Sequence, residues 1–274
     1  IQALSKQRGR FRVRASKGVH IVVPRDRIVS EVAIILRTEK SVLFVIPWGT
    51  HWIIGTTDTD WNLDLAHPAA TKADIDYILG HVNKVLATPL NHDDIDGVYA
   101  GLRPLLAGES EETSKLSREH AVAVPAPGLV AIAGGKYTTY RVMAEDAVDF
   151  ALGDEAADRT SLTESVPLLG AQGVGAVRRG QAGIAERYGW DEARVKRLIR
   201  RYGTMLEDLL DLIDDNPELG QPLPGAERYL GVEARYAATS EGVVRLADVL
   251  ERRMRLNYEV RDRGKAAAEA VAEI

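Results

Sequence analysis

The stretch Leu129-Val130-Ala131-Ile132-Ala133-Gly134-Gly135-Lys136-Tyr137-Thr138-Thr139-Tyr140-Arg141 changes character at its centre. Its first five residues are apolar throughout, which predicts a strand buried on both faces. Gly134 and Gly135 allow a sharp turn and let a ligand approach the backbone closely. From Thr139 to Leu152 the residues Val142, Met143, Ala147, Val148 and Ala151 form an apolar stripe at helical spacing. A helix start presents unpaired N–H groups and a partial positive charge, a setting for an anion or an electron-rich ring edge. Lys136 adds a full charge, and Thr138 and Thr139 offer hydroxyls and a helix cap. A plain connection between two elements has the same pattern.

Upstream of this unit the chain reads mostly as strands. Val19–Val23, Val32–Leu36, Val42–Ile46 and Trp52–Gly55 are short Val- and Ile-rich runs bounded by Gly, Pro and charged residues. Their spacing predicts an antiparallel sheet. Thr71–Leu86 is the first helix, opened by a capping box of Thr71 and Asp74 and ended by Pro89. Strands return at Val98–Leu102 and His120–Val124.

Downstream, the polar and Ala-rich stretch Gly153–Ser165 is the linker candidate, and composition then turns helical. Asp191 can cap a helix whose face is Val195, Leu198, Ile199 and Tyr202, with Gly203 ending it. Thr204 and Glu207 read as a second capping box, and Ser240–Leu256 as a further helix. The fold class is therefore α+β, with sheet-rich residues 1–153 followed by a helical domain over 165–274. The first residue is Ile, and the chain closes in an Ala-rich helical pattern with no stop signal. Both ends read as cut, and the chain as part of a longer protein.

Composition narrows the chemistry. The 274 residues carry 45% hydrophobic and 27% charged residues, enough for a substantial core. A net charge of −5 argues against nucleic acid as the main partner. With no cysteine, disulfides, thiolate metal sites and Cys nucleophiles are excluded. No apolar run reaches the roughly 18 residues of a membrane-spanning helix. Asp58 and Asp60 lack the convergent ligands a metal needs and read as a turn together with Thr56 and Thr57, and His92-Asp93-Asp94 reads as a polar loop. Gly170-Ala171-Gln172-Gly173-Val174-Gly175 has the wrong spacing and setting for a phosphate loop. Arg252, Arg253 and Arg255 read as a solvated helix face.

The segment Ile132–Arg141 resembles the late GGK-x-TTYR motif of FAD-dependent glycerol-3-phosphate dehydrogenases. Lys17–Arg25, Phe44–Trp48, Ile54–Asp60, Gly97–Leu105 and Ser117–His120 are similar to that family in the same order, as are Arg201-Tyr202-Gly203 and Asp248–Arg253 downstream. The family's opening G-x-G-x-x-G fingerprint for the FAD pyrophosphate is absent. The chain thus resembles the family's middle and C-terminal portion. The resemblance implies a mixed or antiparallel substrate-binding sheet with the remainder of an FAD-binding domain like those of glutathione reductase and D-amino-acid oxidase. It further implies oxidation of sn-glycerol 3-phosphate to dihydroxyacetone phosphate, with electrons passed to a quinone. An oxidase that uses oxygen, or a non-catalytic interaction module, are the alternatives. A cytoplasmic protein, peripheral on the inner face of the membrane and able to form a homodimer, completes the expectation.

Such an oxidation needs a hydride acceptor, a proton acceptor and cations for the phosphate. By resemblance Arg103 binds substrate beside the flavin, Arg118 the substrate phosphate, and Lys136 the substrate oxygen or the flavin edge. Gly134, Gly135, Lys136, Tyr137 and Thr138 are the implied cofactor contacts. His20, in an apolar strand, is either a hydrogen-bonded core histidine or a group that reaches the substrate and accepts a proton near neutral pH.

Overall fold

Strand β1 (Val13–Pro24) is the axis of a six-stranded antiparallel sheet in the computed structural model, which describes residues 13–39, 42–106 and 119–274. One edge of β1 pairs along ten residues with β6 (Gly97–Leu106), from Val13↔Leu106 to Val22↔Gly97. The other edge is shared: His20–Pro24 pair with β4 (His51–Gly55), and Ala15–Lys17 with β5 (Thr59–Trp61). Beyond β4 lie β3 (Val42–Trp48) and β2 (Ile34–Arg37). β1 begins six residues earlier than the apolar run Val19–Val23 predicts. Its polar first half is held because both edges find partners there.

Successive side chains of a strand point to opposite faces. Val19, Ile21 and Val23 are fully buried on one face, packed with Leu43, Val45, Trp52 and Ile54. Helix α1 (Lys72–Val82) covers that face with Ile78, Leu79 and Val82. Its predicted capping box is present: the Asp74 N–H donates to Thr71 Oγ1, and the Thr71 N–H to Asp74 Oδ2. Lys17 falls on the apolar face by the same alternation. Its ammonium is buried and donates to Asp74 Oδ2 at 2.7 Å and to the Ala69 carbonyl at 3.1 Å. The cap of α1 therefore also neutralises the one charge that β1 sends into the core.

β7 (His120–Ala126) and β8 (Leu129–Gly134) form a separate antiparallel hairpin, followed by α2 (Tyr140–Leu152). The expectation that Leu129–Ala133 is buried on both faces is not met. Those residues are half-buried or exposed, because β8 has one strand neighbour among the described residues.

The chain divides into two compact units, Ile1–Ser165 and Val166–Ile274. The second unit is helical, as expected. It contains α3 (Val174–Arg179), α4 (Gln181–Tyr188), α5 (Glu192–Tyr202) and α6 (Leu206–Asp215), a short hairpin of β9 (Pro222–Leu223) and β10 (Ala226–Leu230), then α7 (Gly231–Ser240), α8 (Leu256–Glu259) and α9 (Ala268–Glu273). Asp191 caps α5 by accepting from the Arg194 N–H at 2.6 Å. Val195, Leu198, Ile199 and Tyr202 meet Leu206, Leu209 and Ile213 in the core. At its centre Glu233 is fully buried. It accepts from both terminal nitrogens of Arg197, from Tyr202 Oη–H and from the Leu230 N–H.

Two local readings need correction. Thr204 and Glu207 form no capping box: the Thr204 N–H is taken by the Gly170 carbonyl at 3.0 Å, and Gly203–Met205 becomes a 3-10 turn. Ser240–Leu256 is not one helix. Gly242 and Arg255 have left-handed φ, and a π-helical turn, Asp248–Arg253, lies between them. Arg252 and Arg253 in that turn bond to Asp248 and to the Glu241 carbonyl.

Replacing Asp74 by Ala removes the cap and leaves Lys17 buried without its counter-ion, a class of change that costs about 3–5 kcal/mol. Urea denaturation of Asp74→Ala at neutral pH is expected to show that loss, and a change below about 0.5 kcal/mol contradicts the pairing. Burial pushes the Asp74 carboxyl up, but hydrogen bonds from Lys17 and Thr71 outweigh it and hold the pKa below its ordinary value. Its stabilisation is thus present above the unfolded value of about 4 and disappears as pH falls through the lower folded one.

Candidate functional site

The even-numbered residues of β1 build the other face of the sheet. Ser16, Gly18 and His20 lie opposite Arg103, Gly101 and Tyr99 on β6, and His20 lies opposite Gly55 on β4. Glycines at 18, 55 and 101 carry no side chain on that face: Arg103 and Thr56 fill the space beside Gly18, His20 fills that beside Gly55, and Gly101 faces open space.

Arg103 is clamped across this face. Its Nη2 donates to Thr56 Oγ1 at 2.9 Å, and its Nη1 to the Thr57 carbonyl at 3.3 Å and to Ser16 Oγ at 3.5 Å. Ser16 in turn donates to Asp58 Oδ1. Thr57 Oγ1 accepts the Val19 N–H, which fixes the Thr56–Thr57 turn to β1. A Cβ on Gly18 would stand 2.6 Å from both Arg103 Nη2 and Thr56 Oγ1. Glycine there is what lets the guanidinium cross β1.

His20 sits beside this clamp. Its ring stacks on Tyr99 with centroids 4.9 Å apart and planes 11° from parallel. A Cβ on Gly55 would lie 2.4 Å from His20 Cδ2. His20 Nδ1 is buried and has no hydrogen-bond partner among the described residues. A buried ring nitrogen left unpaired is costly, and marks a place where a partner belongs. Burial first, and the Arg103 charge second, push the His20 pKa down to about 4. The imidazole is therefore neutral at physiological pH. Of its two ring nitrogens, Nδ1 is the one left open for a partner.

The glycine turn forms a second feature of the same unit. Gly134 and Gly135 have φ of +78° and +80°, a region that favours glycine. A Cβ on Gly134 would meet the Glu119 carbonyl at 2.5 Å, and one on Gly135 the Met143 sulfur at 2.5 Å. The same Gly134 position lies 3.0 Å from Leu106 Cγ, so the turn packs against β6 three residues beyond Arg103. Lys136, Tyr137 and Thr138 follow, all exposed, and the Tyr137 ring stacks on Tyr140. The expected threonine cap is absent: Thr139 turns its hydroxyl back to the Lys136 carbonyl at 3.1 Å. His120 and Asp146 join β7 to α2 at 2.6 Å.

The structure thus joins His20 and Arg103 in one cluster and brings the Gly134 turn to the end of β6. Lys136 is outside the hydrogen bonds that clamp Arg103, and Arg118 lies outside the described residues. Sequence reasoning read Thr56, Thr57 and Asp58 as a turn and missed that the turn holds Arg103. It also missed Ser16, Gly18 and Tyr99, which only the alternation along β1 and its register with β6 could have signalled. Among the described residues no group of three His, Asp or Glu side chains is placed to hold a metal. Gly170 packs its backbone against Gly203, and no strand precedes it, so the glycine stretch at 170–175 is structural.

A family model described as the C-terminal domain of alpha-glycerophosphate oxidase matches residues 161–274. "Glycerol-3-phosphate dehydrogenase 2" of Mycobacterium tuberculosis is 66% identical over 275 residues, covering 100% of this chain and 47% of the relative. "Glycerol-3-phosphate dehydrogenase" of Pseudomonas aeruginosa is 32% identical, covering 93% and 51%. A solved structure of the Bacillus halodurans glycerol-3-phosphate dehydrogenase, complexed with FAD, superposes with a TM-score of 0.79 at 27% identity, covering 99% of this chain and 55% of that one. The chain belongs to the glycerol-3-phosphate dehydrogenase family. It spans about half the length of the curated relatives it matches. The order of sheet, glycine turn and helical unit seen here is thus that of a glycerol-3-phosphate dehydrogenase over the shared length.

An NMR titration of the histidine ring protons is expected to place His20 near pH 4, and an ordinary midpoint near 6.5 contradicts its burial. Because the folded value is depressed, the neutral ring's contribution is full above about 6.5 and disappears as pH falls toward 4. Gly18→Ala is expected to displace the Arg103 guanidinium, and with that charge moved away the His20 midpoint rises. An unchanged midpoint would show that the clamp tolerates a Cβ.

Proposed function

We propose that this chain supplies the substrate side and the flavin-edge side of an FAD-dependent enzyme that oxidises sn-glycerol 3-phosphate to dihydroxyacetone phosphate. The observation that carries the reading is a clamped Arg103 next to a neutral His20 whose Nδ1 is unpaired. FAD suits the residues present. Gly101 faces open space beside the Arg103 clamp, Gly134 and Gly135 form a left-handed turn, and the exposed Lys136 follows it.

When bound, FAD supplies the acceptor for the hydride from C2 of the substrate. The remaining work falls to side chains of this chain. Arg103 offers a rigid fork to the substrate's anionic oxygens, held in place by Thr56, Thr57 and Ser16. Arg118, by resemblance alone, adds a second cation for the phosphate. His20 Nδ1 accepts the proton of the C2 hydroxyl. A pKa near 4 makes it a weak base in the free protein, but a phosphate dianion beside Arg103 cancels the charge that contributes to the depression. Substrate binding thereby raises the basicity of its own proton acceptor. Lys136 holds the substrate oxygen or the flavin edge, with Gly134, Gly135, Tyr137 and Thr138 around it.

Electrons pass on to a quinone in this reading, with the enzyme cytoplasmic and peripheral on the inner face of the membrane, and with a homodimer as its assembly. No helix among the described residues is long and apolar enough to cross a membrane. A second reading has oxygen as the acceptor, since the model matching 161–274 is described from an oxidase. Anaerobic glycerol 3-phosphate is expected to bleach the flavin absorbance of the complete enzyme. Peroxide formed on admitting air marks the oxidase, and reoxidation by a quinone analogue without peroxide marks the dehydrogenase. Arg103→Ala and Lys136→Ala are each expected to lower kcat/KM by about 100-fold or more with folding intact, the size of one lost charge-assisted contact. Near-normal turnover in both removes the assignment. Failure to bind FAD or substrate leaves the interaction-module alternative.

A further inference from the structure

The helical unit carries a cationic groove on residues that the proposed chemistry does not use. Arg178 lies in the last turn of α3, Gln181 opens α4, and Lys196 and Arg200 stand one turn apart on α5. With Ile199 as the apolar floor, these residues line a groove of about 510 Å³. That volume falls in the range of small-molecule sites, roughly 300–1,000 Å³.

Several cations of the unit are paired with acids. Arg187 pairs with Asp214, Arg197 with Glu233, Arg228 with Glu259 and Arg252 with Asp248. Arg178, Lys196 and Arg200 have no ion-pair or hydrogen-bond partner among the described residues. Glu192 precedes Lys196 by one helical turn, yet forms no ion pair with it among those residues. Like charges one turn apart on a helix repel each other. Three cations converging on one concavity, uncompensated by acids, favour an anion that spans them. Arginine forks and a lysine point charge match phosphate oxygens better than a single carboxylate.

We propose that the groove lined by Arg178, Lys196 and Arg200 binds a phosphate-class anion carrying more than one negative charge, separate from the His20–Arg103 site. The source is a free phosphorylated molecule or the phosphate headgroup of an anionic lipid.

Calorimetry of the full chain with inorganic pyrophosphate at low salt tests the first source. Sedimentation with vesicles of phosphatidylcholine, with and without phosphatidylglycerol, tests the second. Saturable pyrophosphate binding is expected, weakened about tenfold or more in the triple variant R178Q/K196Q/R200Q. Arg187→Gln is expected to leave it unchanged. Sedimentation with phosphatidylglycerol vesicles alone, lost in the triple variant, supports the groove with lipid as the source. Binding of neither probe, or equal binding by the parent and the triple variant, overturns the proposal. The three residues are exposed, and a thermal melt of the triple variant matching the parent confirms that folding is not the cause.

Discussion

Side chains leave β1 alternately on opposite sides, and both halves of the first unit depend on that alternation. Odd positions send Val19, Ile21 and Val23 into the core under α1. Even positions put Ser16, Gly18 and His20 on the opposite face with Arg103 and Tyr99. A one-residue slip of β1 against β6 would exchange the two sets, putting His20 under α1 and moving the core valines to the face that holds Arg103. Ten paired residues along one edge, and β4 and β5 sharing the other, make such a slip costly.

Lys17 shows how tightly the register is tied to the rest of the unit. It is an odd residue, so its ammonium must enter the apolar layer. The carboxylate that meets it belongs to the capping box of α1, so the helix can sit in only one position over the sheet. The same device recurs in the helical unit, where buried Glu233 accepts from Arg197, from Tyr202 and from the start of α7. In each unit a buried carboxylate at a helix start fixes the helix to its neighbours. Such pairs are better evidence of a unique arrangement than of net stability.

The site obeys a different rule. Its polar groups are only partly satisfied: Arg103 is clamped by three oxygens, while His20 Nδ1 is left without a partner among the described residues. The clamp depends on the absence of a side chain at Gly18, and the placement of His20 on its absence at Gly55. Glycine in a strand weakens it, and here the missing side chains leave the room that Arg103 and His20 occupy.

Sequence by itself determined the elements governed by short-range rules. The Thr71–Asp74 cap, the Asp191 cap and the left-handed Gly134-Gly135 turn were legible because each is set within a few residues. Ordered motifs also marked Arg103, Lys136 and His20 as candidates, although by resemblance and not by geometry. Tertiary structure decided the rest. That Thr56 and Thr57 hold Arg103 requires a contact across 46–47 positions of the chain. That Thr204 forms a 3-10 turn and not a capping box follows from the distant Gly170 carbonyl competing for its N–H. That β8 is only half-buried follows from how many strands flank it. Local propensity carries no information about which remote oxygen, strand or glycine will arrive, so these features exist only once the chain has folded.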